Sequence, residues 1–460
     1  MNTQVDNAAN AAKAAFRTLA DAAPAVRATL LREIADGIER LGDTLIDCVH
    51  GETALPVARV AGERARTCMQ LRLFADVAER NDWIDERVDA ADPTRTPPRP
   101  RISSRLRPLG PALVFAASNF PLAFSVAGGD TAAALAVGCP VIVKAHPAHP
   151  KTCAMIAGAI HAAVDQCALP RGVFALLDDT SIETGMAAVR HPAIKVGAFT
   201  GSLRGGLALW REANQRAVPI PFFAEMGSVN PVFLLPDVLR SHSEPIAAGL
   251  HASMMLGVGQ FCTQPGIVFV VDDDAGRAFL ERLATLTAAT PVGTMLSAGI
   301  CGNYAQAIAA RAARKGVRSV AQVTGGAGER AASAALFAVD VDTFLADPEL
   351  SEEVFGPSSL VVLCRSTADF VRCAEALPGQ LTATVWAGEG TTGDNSDLLW
   401  ALEQNVGRIV FDGFPTGVEV GSATMHGGPF PATTDSRFTS VGTRALLRFV
   451  RPVAWQTPQA

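Results

Sequence analysis

What this chain lacks narrows it before any motif is read. No uninterrupted apolar run reaches the roughly 18–20 residues that span a bilayer, so no membrane helix is expected. Basic excess is absent too: 39 Lys and Arg stand against 45 Asp and Glu, a net charge of −6. That balance offers nothing to nucleic acid or an anionic membrane surface. The nine cysteines are an odd number with no Cys-x-x-Cys pair, which predicts reduced thiols rather than a disulfide frame or a zinc site. His146 and His149 stand close together in Ala145–Pro150, but the prolines there impose a loop and no second ligand cluster accompanies them; no metal centre is expected. Met1–Asp6 lacks a basic region followed by an apolar stretch, so no signal peptide is read and the cytoplasm is the expected location. There is no internal repeat, and no low-complexity tract beyond alanine-rich helices.

What is present is ample material for cores. At 460 residues the chain is too long for one core, and 49% hydrophobic with 18% charged residues supplies two or three domains. Leu30, Ile34, Ile38, Leu41 and Leu45 recur at helical spacing, and a second helix is predicted over Val57–Ala78. The proline-rich stretch Asp92–Arg101 cannot be helical, and Ile102–Arg107 after it reads as an exposed strand. From Pro111 strands and helices alternate. Strands are predicted at Ala112–Ala116, Pro140–Lys144, Val173–Leu177, Val196–Thr200 and Ile220–Ala224, with helices at Leu122–Val137 and Thr152–Val164. A second series follows, with strands at Val232–Leu235, Ile267–Val271, Leu360–Cys364, Thr382–Trp386 and Arg408–Phe411, and helices at Pro245–Leu256 and Ala275–Ala288. Strands separated by helix-length segments imply parallel sheets that bind ligands at the carboxyl ends of their strands.

Four short segments carry chemistry. Gly259–Gly266 sets Cys262 among glycines and polar residues just ahead of an apolar strand, where a thiolate can face a cleft. Glu225 ends an apolar strand before Gly227, a place where partial burial would raise its pKa and suit it to general-base work. Glu352–Pro357 puts acids and Phe355 before a strand, and Ala117–Pro121 offers the Asn119 amide at a strand's carboxyl end. No Gly-x-Gly-x-x-Gly follows the first parallel strand. Phe199–Gly206 stands instead between a strand and a helix, a turn whose glycines and Ser202 hydroxyl can approach a phosphate.

In this order, Asn-Phe-Pro, Lys, Gly-Ser, Glu-x-Gly, Gly-Gln-x-Cys-Thr and Glu-x-Phe-Gly-Pro resemble the aldehyde dehydrogenase superfamily over nearly the whole chain. The resemblance implies an α/β fold of two αβ domains with parallel-sheet cores and a small β oligomerisation flap. Residues 1–95 and 108–227 would bind the dinucleotide, 228–442 would carry the cysteine, and 96–107 with 443–460 would bridge subunits of a homodimer or homotetramer. It implies a mechanism as well. Cys262 attacks the aldehyde, Asn119 and the Cys262 backbone N–H hold the oxyanion, and Glu225 activates the water that hydrolyses the thioester. Gly201, Ser202 and Gly206 match the pyrophosphate segment, Lys144 the adenosine-ribose lysine, Glu353 the nicotinamide-ribose acid, and Phe355 the residue beside the ring. Pro147 stands where NAD-preferring relatives carry a glutamate. A 2′-phosphate meets no repulsion there, and Lys144 or a nearby histidine favours it, so NADP is expected ahead of NAD.

The chain departs from the family at its C-terminal side, where Met425–Gly442 replaces the usual Pro-Phe-Gly-Gly segment. With Ser118–Asp130, Lys144–Pro150 and Gln70–Phe74, this resembles the branch holding α-ketoglutaric semialdehyde (2,5-dioxopentanoate) dehydrogenases and bacterial NADP-dependent fatty aldehyde dehydrogenases. Phe120, Phe124 and Phe261 are expected to line the substrate tunnel. An oxo acid would also need a cation for its carboxylate, and Arg66 and Arg72 are candidates by location. Oxidation of 2,5-dioxopentanoate to 2-oxoglutarate is therefore expected, with long-chain aldehyde as the alternative. A non-catalytic relative would be expected to lose the cysteine or the glutamate, and an acylating enzyme would not need the glutamate; both residues are here.

Overall fold

The computed structural model describes residues 2–323, 326, 328–388 and 395–457. Residue 1 and residues 458–460, the extremes of two expected segments, lie outside the described residues. The alternating pattern after Pro111 folds into two parallel-cored sheets. The first has five strands, in the order Phe174–Leu177, Val141–Lys144, Ala112–Phe115, Val196–Thr200 and Phe222–Glu225, all parallel. Ala112–Phe115 and Val141–Lys144 are buried at every position, as a parallel strand covered by helices on both faces must be.

The second sheet has seven strands, in the order Arg318–Gln322, Ala335–Asp340, Ser358–Cys364, Ile267–Val271, Val232–Leu234, Gln380–Trp386 and Val406–Phe411. Only the first of these runs antiparallel to its neighbour. Phe233 and Phe269 stack at 4.6 Å in its core, with Phe370 and Phe344 edge-on to them. A third sheet joins Arg87–Asp89, Arg101–Pro108 and Val450–Thr457. The tail strand Val450–Thr457 pairs with Arg101–Pro108 over eight residues.

Three departures from the sequence expectations have local causes. The apolar stripe from Leu30 to Leu45 belongs to two helices, Pro24–Arg40 and Gly42–Thr53, because Gly42 takes a φ of +57° at their junction. Leu122–Val137 is not one helix: only Gly129–Val137 is helical. The amides of Leu122 and Ala123 instead donate to the buried carboxylate of Glu63, which holds the preceding segment as an irregular loop. Finally, Pro245 lies within a longer helix, Pro236–Met255, bent at His242. No described helix is long and apolar enough to cross a membrane.

Candidate active site

The carboxyl edge of the first sheet and the amino edge of the second, against the sequence expectation for the latter, border one cavity of about 550 Å³, within the range of small-molecule sites. Its lining brings together Asn119, Glu225, Cys262, Gly201, Ser202, Glu353 and Phe355, which lie far apart along the chain.

Cys262 follows the turn Leu256–Gly259, whose Gly257 and Gly259 have positive φ; a side chain at Gly259 would collide with the Gly356 carbonyl at 2.2 Å. The Asn230 side-chain amide fixes the other end of the turn by donating to the carbonyls of Cys262 and Gln264, both at 2.9 Å. The sulfur is half-buried and free of disulfide. Asn119 arrives from the Glu63-held loop, and its amide donates to the Gln260 carbonyl at 3.1 Å, two residues before the cysteine.

The site's chemistry centres on a residue that sequence reasoning quoted without a role. His426 Nε2 lies 3.4 Å from Cys262 Sγ and 3.0 Å from Glu225 Oε1. All three side chains are at least largely enclosed, with His426 1% and Glu225 4% exposed. Ser440 donates a short hydrogen bond to the other Glu225 oxygen. The segment that carries His426 is laid against both sheets. Met226 N–H donates to the Ala432 carbonyl, Ala224 N–H to the Thr434 hydroxyl, and Thr434 N–H to the Ala224 carbonyl. Side chains are excluded after His426, since a Cβ at Gly428 would meet the Gln380 carbonyl at 2.0 Å. The signal available in the sequence was this histidine, followed by two glycines, inside the segment that departs from the family.

Charge follows from the triangle. Burial alone raises Glu225, as expected, but the His426 imidazolium and the Ser440 hydroxyl outweigh it, so its pKa lies below the ordinary carboxylate value. The expected upward shift is thus reversed. Burial works against a charge on His426, yet Glu225 and Cys262 beside it leave its pKa well above that of free imidazole. Burial raises the Cys262 thiol, and His426 is what pulls it back down. The arrangement can hold a carboxylate–imidazolium pair against a thiol, and once the thiol proton has left, the imidazolium stabilises the thiolate. The three ligand atoms lie within 4.8 Å of one another and so could also hold a metal ion. The expectation of no metal centre rested on spacing along the chain; an ion bound by all three groups here would occupy the sulfur that must react.

On the open side of Cys262, Ser202 caps the helix Leu203–Gln215 by accepting from Gly205 N–H, and the helix N-terminus faces the cavity. The glycines have another reason than close approach to a phosphate. A Cβ at Gly201 would meet Phe199 at 2.7 Å, and one at Gly206 would meet Met226 at 2.6 Å. Lys144 lies in one row with Phe115 and Phe199 at the sheet's carboxyl edge, and burial lowers its pKa, Asp179 opposing. Neither nearby histidine can serve as a cation. His146 is pushed down to about 3 by burial, with His149 and Lys144 adding to the effect, and burial lowers His149 as well. Glu353 packs against Gly227, where burial pushes its carboxyl up to about 7 against a hydrogen bond from the Ser228 amide.

Phe120 meets Phe124 at 5.4 Å and Phe261 at 5.3 Å, and Phe124 meets His426 at 6.4 Å, so the three rings adjoin the triangle. Of the two candidate arginines, Arg72 faces outward and pairs with Asp36 and Glu39. Arg66 is partly buried and donates to the Val418 carbonyl at 2.7 Å.

Comparison with known proteins agrees with this geometry. The chain is 48% identical over 459 residues to alpha-ketoglutaric semialdehyde dehydrogenase 2 of Azospirillum brasilense, covering 98% of this chain and 86% of that one. It is 44% identical over 458 residues to an alpha-ketoglutaric semialdehyde dehydrogenase of Acinetobacter baylyi, with 98% and 86% covered. Among solved structures, the glyceraldehyde-3-phosphate dehydrogenase of Methanocaldococcus jannaschii complexed with NADP superposes with a TM-score of 0.82 at 18% identity, over 99% of this chain and 94% of that one. Residues 1–400 match the aldehyde dehydrogenase family as a whole. The chain belongs to the aldehyde dehydrogenase family.

Proposed function

We propose that this aldehyde dehydrogenase oxidises 2,5-dioxopentanoate to 2-oxoglutarate through a thiohemiacetal and then a thioester on Cys262. The observation that carries the chemistry is the Cys262–His426–Glu225 triangle beside a cavity large enough for a ligand. The extensive identity to two alpha-ketoglutaric semialdehyde dehydrogenases supports the substrate.

In this reading the Cys262 thiol gives up its proton to water, the His426 imidazolium stabilises the thiolate beside it, and the thiolate attacks the aldehyde carbon. The Asn119 amide and the Cys262 backbone N–H hold the developing oxyanion; losing one such donor typically costs about 2.7–4 kcal/mol of barrier. A nicotinamide dinucleotide accepts the hydride when bound. The cavity would fit one: the helix N-terminus at Ser202, beside Gly201, would suit the diphosphate and Glu353 a ribose, with Phe355 beside the ring, whereas Lys144 and Gly206 are outside its lining and their roles rest on the family resemblance. NADP is the preferred form, resting now on Lys144 and Pro147 alone, with NAD as the alternative. Glu225 then takes a proton from water as it attacks the thioester, and the acid leaves.

The ring cluster of Phe120, Phe124 and Phe261 favours a second reading, a long-chain aliphatic aldehyde. The exposed ribbon of Arg101–Pro108 and Val450–Thr457 supports a homodimer or homotetramer, and the net charge of −6 supports a cytoplasmic enzyme without nucleic-acid or membrane partners. Reduced-nicotinamide formation by the purified protein tests the proposal, comparing 2,5-dioxopentanoate with a long-chain aldehyde, each with NAD and NADP. Preference for the dioxo acid is expected; preference for the long chain makes the second reading the function, and no turnover with either overturns both.

A further inference from the structure

The helix Val57–Arg80 turns an unusual face inward. Arg59, Glu63 and Arg66 follow one another at i, i+4 and i+7, so they share one side of the helix. The guanidinium of Arg59 lies over the Phe120 ring at 4.6 Å and the Phe261 ring at 4.8 Å, and it donates to the Asn119 carbonyl at 3.2 Å. It therefore sits against the same rings that adjoin Cys262. Glu63 is 3.4 Å away, but its other oxygen is occupied by the amides of Leu122 and Ala123.

Two further guanidiniums meet at the segment from Pro415 to Val418. Arg66 reaches the Val418 carbonyl, and Arg408 reaches the carbonyls of Gly417 and Pro415. In each, Nε is buried and has no hydrogen-bond acceptor. Neither has a carboxylate within ion-pair distance among the described residues, although both lie close enough to Cys262 for a thiolate there to act on them. Burial lowers the pKa of both guanidiniums, and at Arg66 the charges of Glu419 and Glu63 oppose it. Fastening one loop does not need two cations, since neutral donors would serve. Three positive groups against two carboxylates, Glu63 and Glu419, leave a surplus of positive charge, the arrangement expected of a site that awaits an anion.

The short reach of the substrate proposed above, on which this inference rests, bears on where its carboxylate would lie. In 2,5-dioxopentanoate four carbon–carbon bonds separate the aldehyde carbon from the carboxylate carbon, about 5 Å when extended. With the aldehyde at Cys262, the carboxylate would end beside the ring of the preceding residue, Phe261, where Arg59 stands. We propose that Arg59, Arg66 and Arg408 form the receptor for the substrate carboxylate, at the outer end of the phenylalanine cluster. The same cations would oppose a long uncharged tail, so the rings hold a short carbon chain and the guanidiniums select what ends it.

The test compares kcat/KM for 2,5-dioxopentanoate and for pentanal, an uncharged aldehyde of equal length, in the wild type and in Arg66→Gln and Arg408→Gln, which leave the Arg59 contact with Asn119 in place. Each substitution is expected to lower the preference for the acid about 10- to 100-fold, mainly through KM, while leaving pentanal turnover within a few-fold. Arg66→Lys should recover part of the preference. Equal losses on both substrates, or no loss on either, would overturn the receptor and leave the substrate reading standing. A wild type that does not prefer the acid to pentanal would instead overturn the substrate reading. Protection of Cys262 from iodoacetamide by 2-oxoglutarate, read by mass spectrometry, needs no turnover; it should weaken in the glutamine variants, and unchanged protection would also overturn the receptor.

Discussion

The two sides of Cys262 are built on different principles. Towards the groove, the lining is local: Ser202 caps its own helix three residues on, and Glu353 lies against Gly227 at a strand's end. Towards the interior, the partners come from three distant places, Glu225 at the edge of the first sheet, Cys262 in a turn of the second, and His426 on a strap laid across both. The groove side can position a large ligand with pieces that each fold alone. The closed side works only when both sheets and the strap are in register, because the charge on Glu225 and on Cys262 each depends on His426, and that on His426 depends on both. Recognition can therefore drift on one side while proton handling stays tied to the whole fold.

Substitutions on the two sides should differ accordingly. Cys262→Ala should abolish dehydrogenase turnover, and retained turnover would sink the mechanism. His426→Ala should lower kcat by about 10²- to 10³-fold, the usual worth of one positioned group that stabilises charge at the reacting centre. Glu225→Gln should leave a first-turnover burst of reduced cofactor while slowing steady turnover by a similar factor, read by stopped-flow; loss of the burst itself would move Glu225 from the hydrolytic to the first step. On the groove side, Glu353→Gln should act mainly on cofactor KM, by roughly 2- to 10-fold for one hydrogen-bonding group. If the groove and interior variants gave equal losses in kcat, the division drawn here would fail.

What could be read from sequence follows the same division. Val196–Thr200 and Ile267–Val271 coincide with their predicted strands, since an apolar run bounded by turn residues is a local signal. Cys262, Glu225 and Asn119 each sit in a short, recognisable string, and folding brings them to one cavity. The direction of the Glu225 pKa was not legible, because it is set by His426, 201 positions away (426 minus 225). Nor was the loop ahead of Gly129 legible: Leu122–Val137 has helical composition, but Glu63 on another helix takes its first amides. Arg72 and Arg66 are alike in sequence and differ only in which side of a helix is covered.

The most direct test of the closed triangle is the pH dependence of Cys262 alkylation by iodoacetamide, in the wild type and in His426→Ala. Burial and the carboxylates of Glu225 and Glu353 raise the thiol, and the imidazolium is the strongest effect that lowers it. Removing His426 takes away that main opposing effect, so the midpoint for thiolate reactivity should move to higher pH and alkylation at pH 7 should slow. An unchanged midpoint, or one displaced to lower pH, would show that His426 does not govern the Cys262 proton and would contradict the account.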